Sequence, residues 1–180
     1  SFFKYFSEIG TIKLFFHTLY NLSLEERLDI QKEFLSNLGY ESDENQVFIT
    51  PKALFNSLCN KYPGDPGVFA PYFMNLVYLN PGEAINIKPG LLHAYVKGNG
   101  AELMDNSDNV LRGGLTQKYM DVNELEKIMN FECSCPKLMN IVTDKRGKNY
   151  ICSSFILTLM DKGSYESSSS TRIYLCLEGN

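Results

Sequence analysis

Between Leu79 and Asp121, three turn signals (Pro81-Gly82, Pro89-Gly90 and Gly98-Asn99-Gly100) cut the chain into short pieces. Proline presets φ for the first corner of a turn and glycine supplies the positive φ of the second, so each pair reverses the backbone. The pieces are too short for helices and leave no room for crossover helices. The spacing therefore predicts short strands in a barrel or jelly roll rather than a βαβ sheet. Strand-like stretches run from Tyr72 to Leu79, Ala84 to Ile87, Leu92 to Val96 and Ala101 to Met104. Two more, Phe155 to Met160 and Arg172 to Leu177, follow in the tail, joined by a polar link that includes Ser167 to Ser170.

The first 60 or so residues follow a different pattern. Ser23-Leu24-Glu25-Glu26 has the form of a capping box, in which the serine hydroxyl and the Glu26 carboxylate satisfy each other's orphan backbone N–H groups. Leu24, Leu28, Gln31, Leu35 and Leu38 then recur along one helical face, and Gly39 supplies a stop. After the polar loop from Tyr40 to Gln46, Thr50 as N-cap and Pro51 at the first helical position open another helix, with Ala53, Leu54, Leu58 and Cys59 facing inward. Pro63-Gly64-Asp65-Pro66-Gly67 is a dense breaker segment that marks a boundary. Asp121-Val122-Asn123-Glu124 is a further capping box, starting a short helix that ends near Met129. These patterns divide the chain into a helical domain (1–62), a central segment (63–131) and a C-terminal β segment (132–180), an α+β organisation. The last strand runs straight into Glu178-Gly179-Asn180, as an interrupted sheet would.

Composition excludes several classes. The 180 residues, 44% hydrophobic and 21% charged, suit a folded protein with a real core. A formal net charge of −4 with no basic stripe argues against nucleic acid as a partner. No apolar run approaches the ~20 residues of a membrane span. The opening SFFKYFSEIG has neither the basic start nor the long apolar stretch of a signal peptide. Five cysteines, an odd number, make a poor disulfide framework. Cys133-Ser134-Cys135 has no second ligand pair to complete a zinc site and reads as structural or incidental. Free thiols without an export signal point to the cytoplasm. His17 lies in an apolar run with no ligand at metal-binding spacing, and reads as a packed histidine.

Chemistry concentrates in the turn-divided segment. His93 and Tyr95, two apart on an extended stretch, face the same side. Glu102 follows a glycine-rich hairpin and can reach the same space. Asp108 and Arg112 lie on the next loop, and Lys118 lies beyond Gly113-Gly114. Together they offer an imidazole able to bind metal, a carboxylate base and two cations suited to an oxyanion or phosphate. Asp108 and Arg112 carry a second reading, as an ion pair that braces the loop.

The motifs NPGEA (80–84), LLHAY (91–95), NSDNVLRGGLT (106–116) and KYMDV (118–122) resemble type I mannose-6-phosphate isomerase, as does YPGDPGVFAPYFMNLVYL (62–79). The resemblance is collinear over 62–131 and extends, more thinly, to the helical first third and to CLEG (176–179). It implies a cupin-type β jelly roll, incomplete in this chain, with an N-terminal helical domain. It implies a zinc-dependent interconversion of mannose 6-phosphate and fructose 6-phosphate through an enediol. By resemblance His93 would be a zinc ligand and Glu102 would transfer the proton. Arg112 would stabilise the enediolate, while Tyr95, Lys118 and Asp108 would meet the hexose 6-phosphate.

The family's remaining zinc ligands come from a Gln-x-His and a Lys-Pro-Glu segment, and neither pattern occurs in this sequence. A lone imidazole does not make a catalytic zinc site. The expectation is a partial chain, inactive by itself, that needs the N-terminal cupin part to complete its site. The alternative is a non-catalytic cupin module that binds a sugar or a protein partner. Gly113 and Gln117 stand where the family usually has Ala and Pro, a change expected to loosen the loop.

Overall fold

A computed structural model describes residues 11–39, 50–107, 110–133, 135–160, 162–163 and 171–177. The polar loop from Tyr40 to Gln46, Asp108, the serine run and the Glu178-Gly179-Asn180 end lie outside the described residues.

Helix α1 (Ile12–Asn21) starts at Thr11, whose side chain accepts from the Leu14 N–H. Helix α2 (Leu24–Leu38) carries both halves of the capping box at Ser23 and Glu26. Gly39 ends it at φ 68, its N–H donating to the Leu35 carbonyl. Helix α3 (Pro51–Lys61) has Thr50 as N-cap and Pro51 in its first turn. These caps fall where the local sequence puts them, because each is satisfied within its own turn.

The breaker segment behaves differently. Asp65 caps a 3₁₀ helix (Pro66–Tyr72) whose Pro66, Gly67, Val68, Phe69 and Pro71 are buried. It packs into the helical layer, so the dense Pro/Gly pattern makes a tight buried turn. Phe16, Leu19 and Tyr20 of α1, Phe55 and Cys59 of α3, and Val68 and Phe69 of the 3₁₀ helix form one core. Leu125 joins it from helix α4 (Val122–Ile128), which Asp121 caps by accepting from the Glu124 N–H. Phe34 sits edge-on to Phe55, Phe69 and Tyr72, with ring centroids 5.0–5.6 Å apart. Cys59 is buried among these side chains, and desolvation pushes its thiol up to about 12.

The regular sheet of the described residues is a three-stranded antiparallel meander. It comprises β1 (Ile141–Asp144), β2 (Gly147–Ile151) and β3 (Ile156–Leu159), in the order β1-β2-β3. Ile141 pairs with Tyr150, and Ile151 pairs with Ile156. β3 falls within the stretch expected from Phe155 to Met160. β1 and β2 lie outside every stretch expected to form strands. The stretches expected at Tyr72–Leu79, Leu92–Val96, Ala101–Met104 and Arg172–Leu177 are not in ladders, and that from Ala84 to Ile87 keeps a single bridge, Ile85 to Leu138. A strand is defined by a ladder of pairs with its partner, and among the described residues these stretches form no ladder.

The first two of the turns that divide them, at Pro81-Gly82 and Pro89-Gly90, do form. Glu83 donates to the Asn80 carbonyl and Leu91 to the Lys88 carbonyl, with Gly82 at φ 83 and Gly90 at φ 81. These are the positive-φ corners that Pro-Gly pairs encode. The Tyr150 hydroxyl donates to the Gly82 carbonyl at 2.6 Å, tying the sheet to the first turn.

Candidate functional site

Leu92 packs against the helical core, and the next residue, His93, is exposed. Alternation along the extended chain then brings Tyr95 to the same side as His93, their rings 6.2 Å apart and edge-on. His93 Nδ1 lies 3.1 Å from the Leu91 carbonyl, a contact that orients the ring, and Nε2 faces Glu102 Oε1 at 3.7 Å. Tyr95 also hydrogen-bonds to Glu102. Partial desolvation, that hydrogen bond and the neighbouring negative charge all raise the phenol above its ordinary value. Tyr95 therefore stays protonated at neutral pH and acts as a donor to the carboxylate. His93, Tyr95 and Glu102 form one open polar group, even though the two stretches that bear them are not paired strands.

Arg112 and Lys118 lie on the following loop, both exposed. Leu111 and Leu115 flank the Arg112-Gly113-Gly114 stretch and pack against the helical core. The Tyr20 hydroxyl donates to the Gly113 carbonyl. Burial and the Asp65 charge hold that hydroxyl well above the usual phenol range. Asp65 Oδ1 accepts from the Gly67 N–H at 2.7 Å, and Oδ2 accepts from the Thr116 N–H at 3.3 Å. At Gly114, φ is 129, and a Cβ there would come within 3.0 Å of both Asp65 Oδ1 and the Gly67 Cα, so neither geometry nor space admits a side chain. At Gly113 a Cβ would meet the tip of Leu92 at 2.5 Å, so an alanine would require that leucine to turn. The Gly-Gly pair, expected to loosen the loop, is thus held at Gly113, Gly114 and Thr116.

Sequence reasoning missed Asp65 and Tyr20. Asp65 precedes Pro66 in the pattern of an N-cap, a signal present in the sequence. Its reach to Thr116, 51 residues away, has no local signature. His17 lies 2.9 Å from Glu126 and links α1 to α4, a structural contact. The cysteines of the described residues are free, with Cys133 and Cys135 exposed. No helix of the described residues is long and apolar enough to cross a membrane.

For zinc, the test is the donor set. Among the described residues no group of three or more His, Cys, Asp or Glu side chains could hold a metal ion. His93 and Glu102 provide two donors, and catalytic zinc takes three protein ligands. The described residues do not by themselves fit the metal.

Helices and a small antiparallel sheet in this arrangement match solved phosphomannose isomerases over part of their length. The chain is related to mannose-6-phosphate isomerases across the segment it shares with them. It is 52% identical over 108 residues to the probable mannose-6-phosphate isomerase of Caenorhabditis elegans, covering 60% of this chain and 25% of that protein. It is 39% identical over 126 residues to the mannose-6-phosphate isomerase of Escherichia coli K12, covering 66% of this chain and 32% of that protein. The crystal structure of the Salmonella typhimurium enzyme bound to fructose 6-phosphate and zinc superposes with a TM-score of 0.60 at 33% identity, over 79% of this chain and 35% of that one. The chain thus spans a quarter to a third of the length of these two relatives. No family model matches it.

Proposed function

We propose that this chain supplies part of the active site of a zinc-dependent aldose–ketose isomerase that interconverts mannose 6-phosphate and fructose 6-phosphate. The observation that carries the reading is the contact of His93 and Tyr95 with Glu102, within a segment related to named isomerases. The wider reading of this region as a cupin-type jelly roll, with the helical layer as its N-terminal neighbour, belongs to the same proposal.

Isomerisation moves a proton between C1 and C2 through an enediol, and needs a base near those carbons and positive charge for the developing oxyanion. Glu102 is the base, and the neutral Tyr95 hydroxyl fixes the direction of its carboxylate. Arg112 stabilises the enediolate oxygen, Lys118 meets the phosphate, and Asp108 orients sugar hydroxyls. Zinc, when bound, supplies Lewis-acid polarisation of the sugar oxygens. His93 would be one ligand, with the others in parts of the isomerase length that this chain does not span.

The test is a chimera in which the matched segment of this chain replaces its counterpart in the E. coli enzyme. We expect it to convert fructose 6-phosphate, to lose activity to a chelator and to regain it with zinc. Activity that survives complete metal removal contradicts the reading, as does isomerase activity of the 180-residue chain by itself. Arg112→Ala in the chimera should lower kcat on the order of 10²-fold with the fold intact by circular dichroism. An unchanged rate returns Arg112 to bracing the loop. A chimera that folds and binds fructose 6-phosphate without isomerising it favours the non-catalytic sugar-binding module.

A further inference from the structure

Leu115 has φ 54, the one positive-φ residue other than glycine among the described residues. A branched aliphatic side chain adopts that conformation only where its surroundings over-determine it. Those surroundings are the 3₁₀ turn. A Cβ added to Gly67 would lie 3.1 Å from both the Leu115 Cγ and the Leu115 N, so the 3₁₀ turn and Leu115 are in close contact and any larger residue at 67 would press on both. The Asp65 carboxylate spans the contact, one oxygen on the Gly67 N–H and the other on the Thr116 N–H, directly after the strained residue.

Asp65 is itself held from behind. Buried Gln31 donates to the Asp65 carbonyl and accepts from the Gly64 N–H at 2.9 Å, while Arg27 Nε donates to the Gly64 carbonyl at 2.7 Å. A chain of hydrogen bonds therefore runs from the face of α2 through Gly64 and Asp65 to Thr116, between Arg112 and Lys118. We propose that Asp65 is a positioning residue. Its carboxylate clamps the Arg112–Lys118 loop to the helical layer and so sets where both cations stand. This rests on the isomerase reading for its catalytic consequence, and on the clamp geometry alone for its structural one.

Asp65→Asn separates the clamp from the helix cap. An amide caps a helix about as well as a carboxylate, so the 3₁₀ turn keeps its acceptor at Gly67. The second position becomes an NH₂ group facing the Thr116 N–H, donor against donor. In the full chain, hydrogen exchange should speed up at least tenfold at Thr116 and its loop neighbours, with the α3 amides unchanged. In the active chimera the same substitution should lower kcat about tenfold and raise KM for fructose 6-phosphate several-fold, since ångström-scale misplacement has costs of this order.

Unchanged exchange at Thr116 overturns the clamp. Loss of α3 protection in step with the loop also overturns it, because Asp65 is then a folding residue only. A fall in apparent kcat with KM fixed does the same, since that is what a smaller folded fraction gives. A chimera inactive with Asp65 intact counts against the isomerase reading, and the exchange data then judge the clamp separately.

Discussion

Single residues divide into those whose partner is near in sequence and those whose partner is distant. The backbone N–H of Arg146, then its guanidinium, hold Asp144 well below the usual carboxyl value, at about 2. A carboxyl depressed on folding supports the turn at every pH above its ordinary value near 3.8, and that support is lost as pH falls from about 4 through 2. The amide resonances of Arg146 and Gly147 should accordingly titrate with a midpoint near 2. A midpoint near 4 would show that the contact does not persist in solution. His93, Tyr95 and Glu102 belong with the legible residues, because two-residue alternation and a glycine-rich reversal bring them together. Asp65 belongs with the others: its cap is readable, but its bond to Thr116 arises only after two segments have packed.

At the scale of elements the same division explains which expectations held. Helices α1 to α4 have caps that are satisfied within one turn, so Ser23, Thr50 and Asp121 announce their helices from local sequence. Strand formation depends on a partner. The Leu92–Val96 stretch has strand-like composition, yet among the described residues it has no ladder partner, whereas β2 finds one on each side. The β2 start also shows how a single position sets register. Gly147 has φ 137, and a Cβ there would lie 2.1 Å from the Leu159 carbonyl oxygen. Gly147→Ala should therefore separate β2 from β3, seen as loss of slow amide exchange in both strands with α3 protection unaffected. Retained protection in β3 would mean that the backbone there can shift more than the close approach implies.

For the whole molecule, the core does not stop at Tyr62. Leu92, Leu111 and Leu115 pack on the same cluster as Phe16, Phe55 and Phe69, so the segment with the catalytic candidates shares the hydrophobic support of the helices. The apolar periodicity of the helices marked Leu35, Leu38, Leu58 and Cys59 of that core, but not Phe16, Leu19, Tyr20 or Phe55. Leu92, Leu111 and Leu115 stand singly next to polar residues, where no periodicity marks the buried side. Several apolar side chains of the sheet are exposed, Ile151 at 52% and Ile156 at 59% among them, a surface consistent with a chain that spans a fraction of its relatives' length. The Tyr20–Gly113 hydrogen bond joins residues 93 apart. A contact that closes so long a loop is costly in entropy until the intervening chain has condensed, so the Arg112 loop is set late in folding, after the helices have met. Tyr20→Phe should then leave the refolding rate nearly unchanged and speed unfolding about fivefold, the kinetic equivalent of about 1 kcal/mol lost after the transition state. Slowed refolding in a stopped-flow experiment would place the bond in the nucleus instead. If the bond forms last, the helical layer is complete before the loop bearing Arg112 reaches its final position, and early folding intermediates would contain the helices without a finished site.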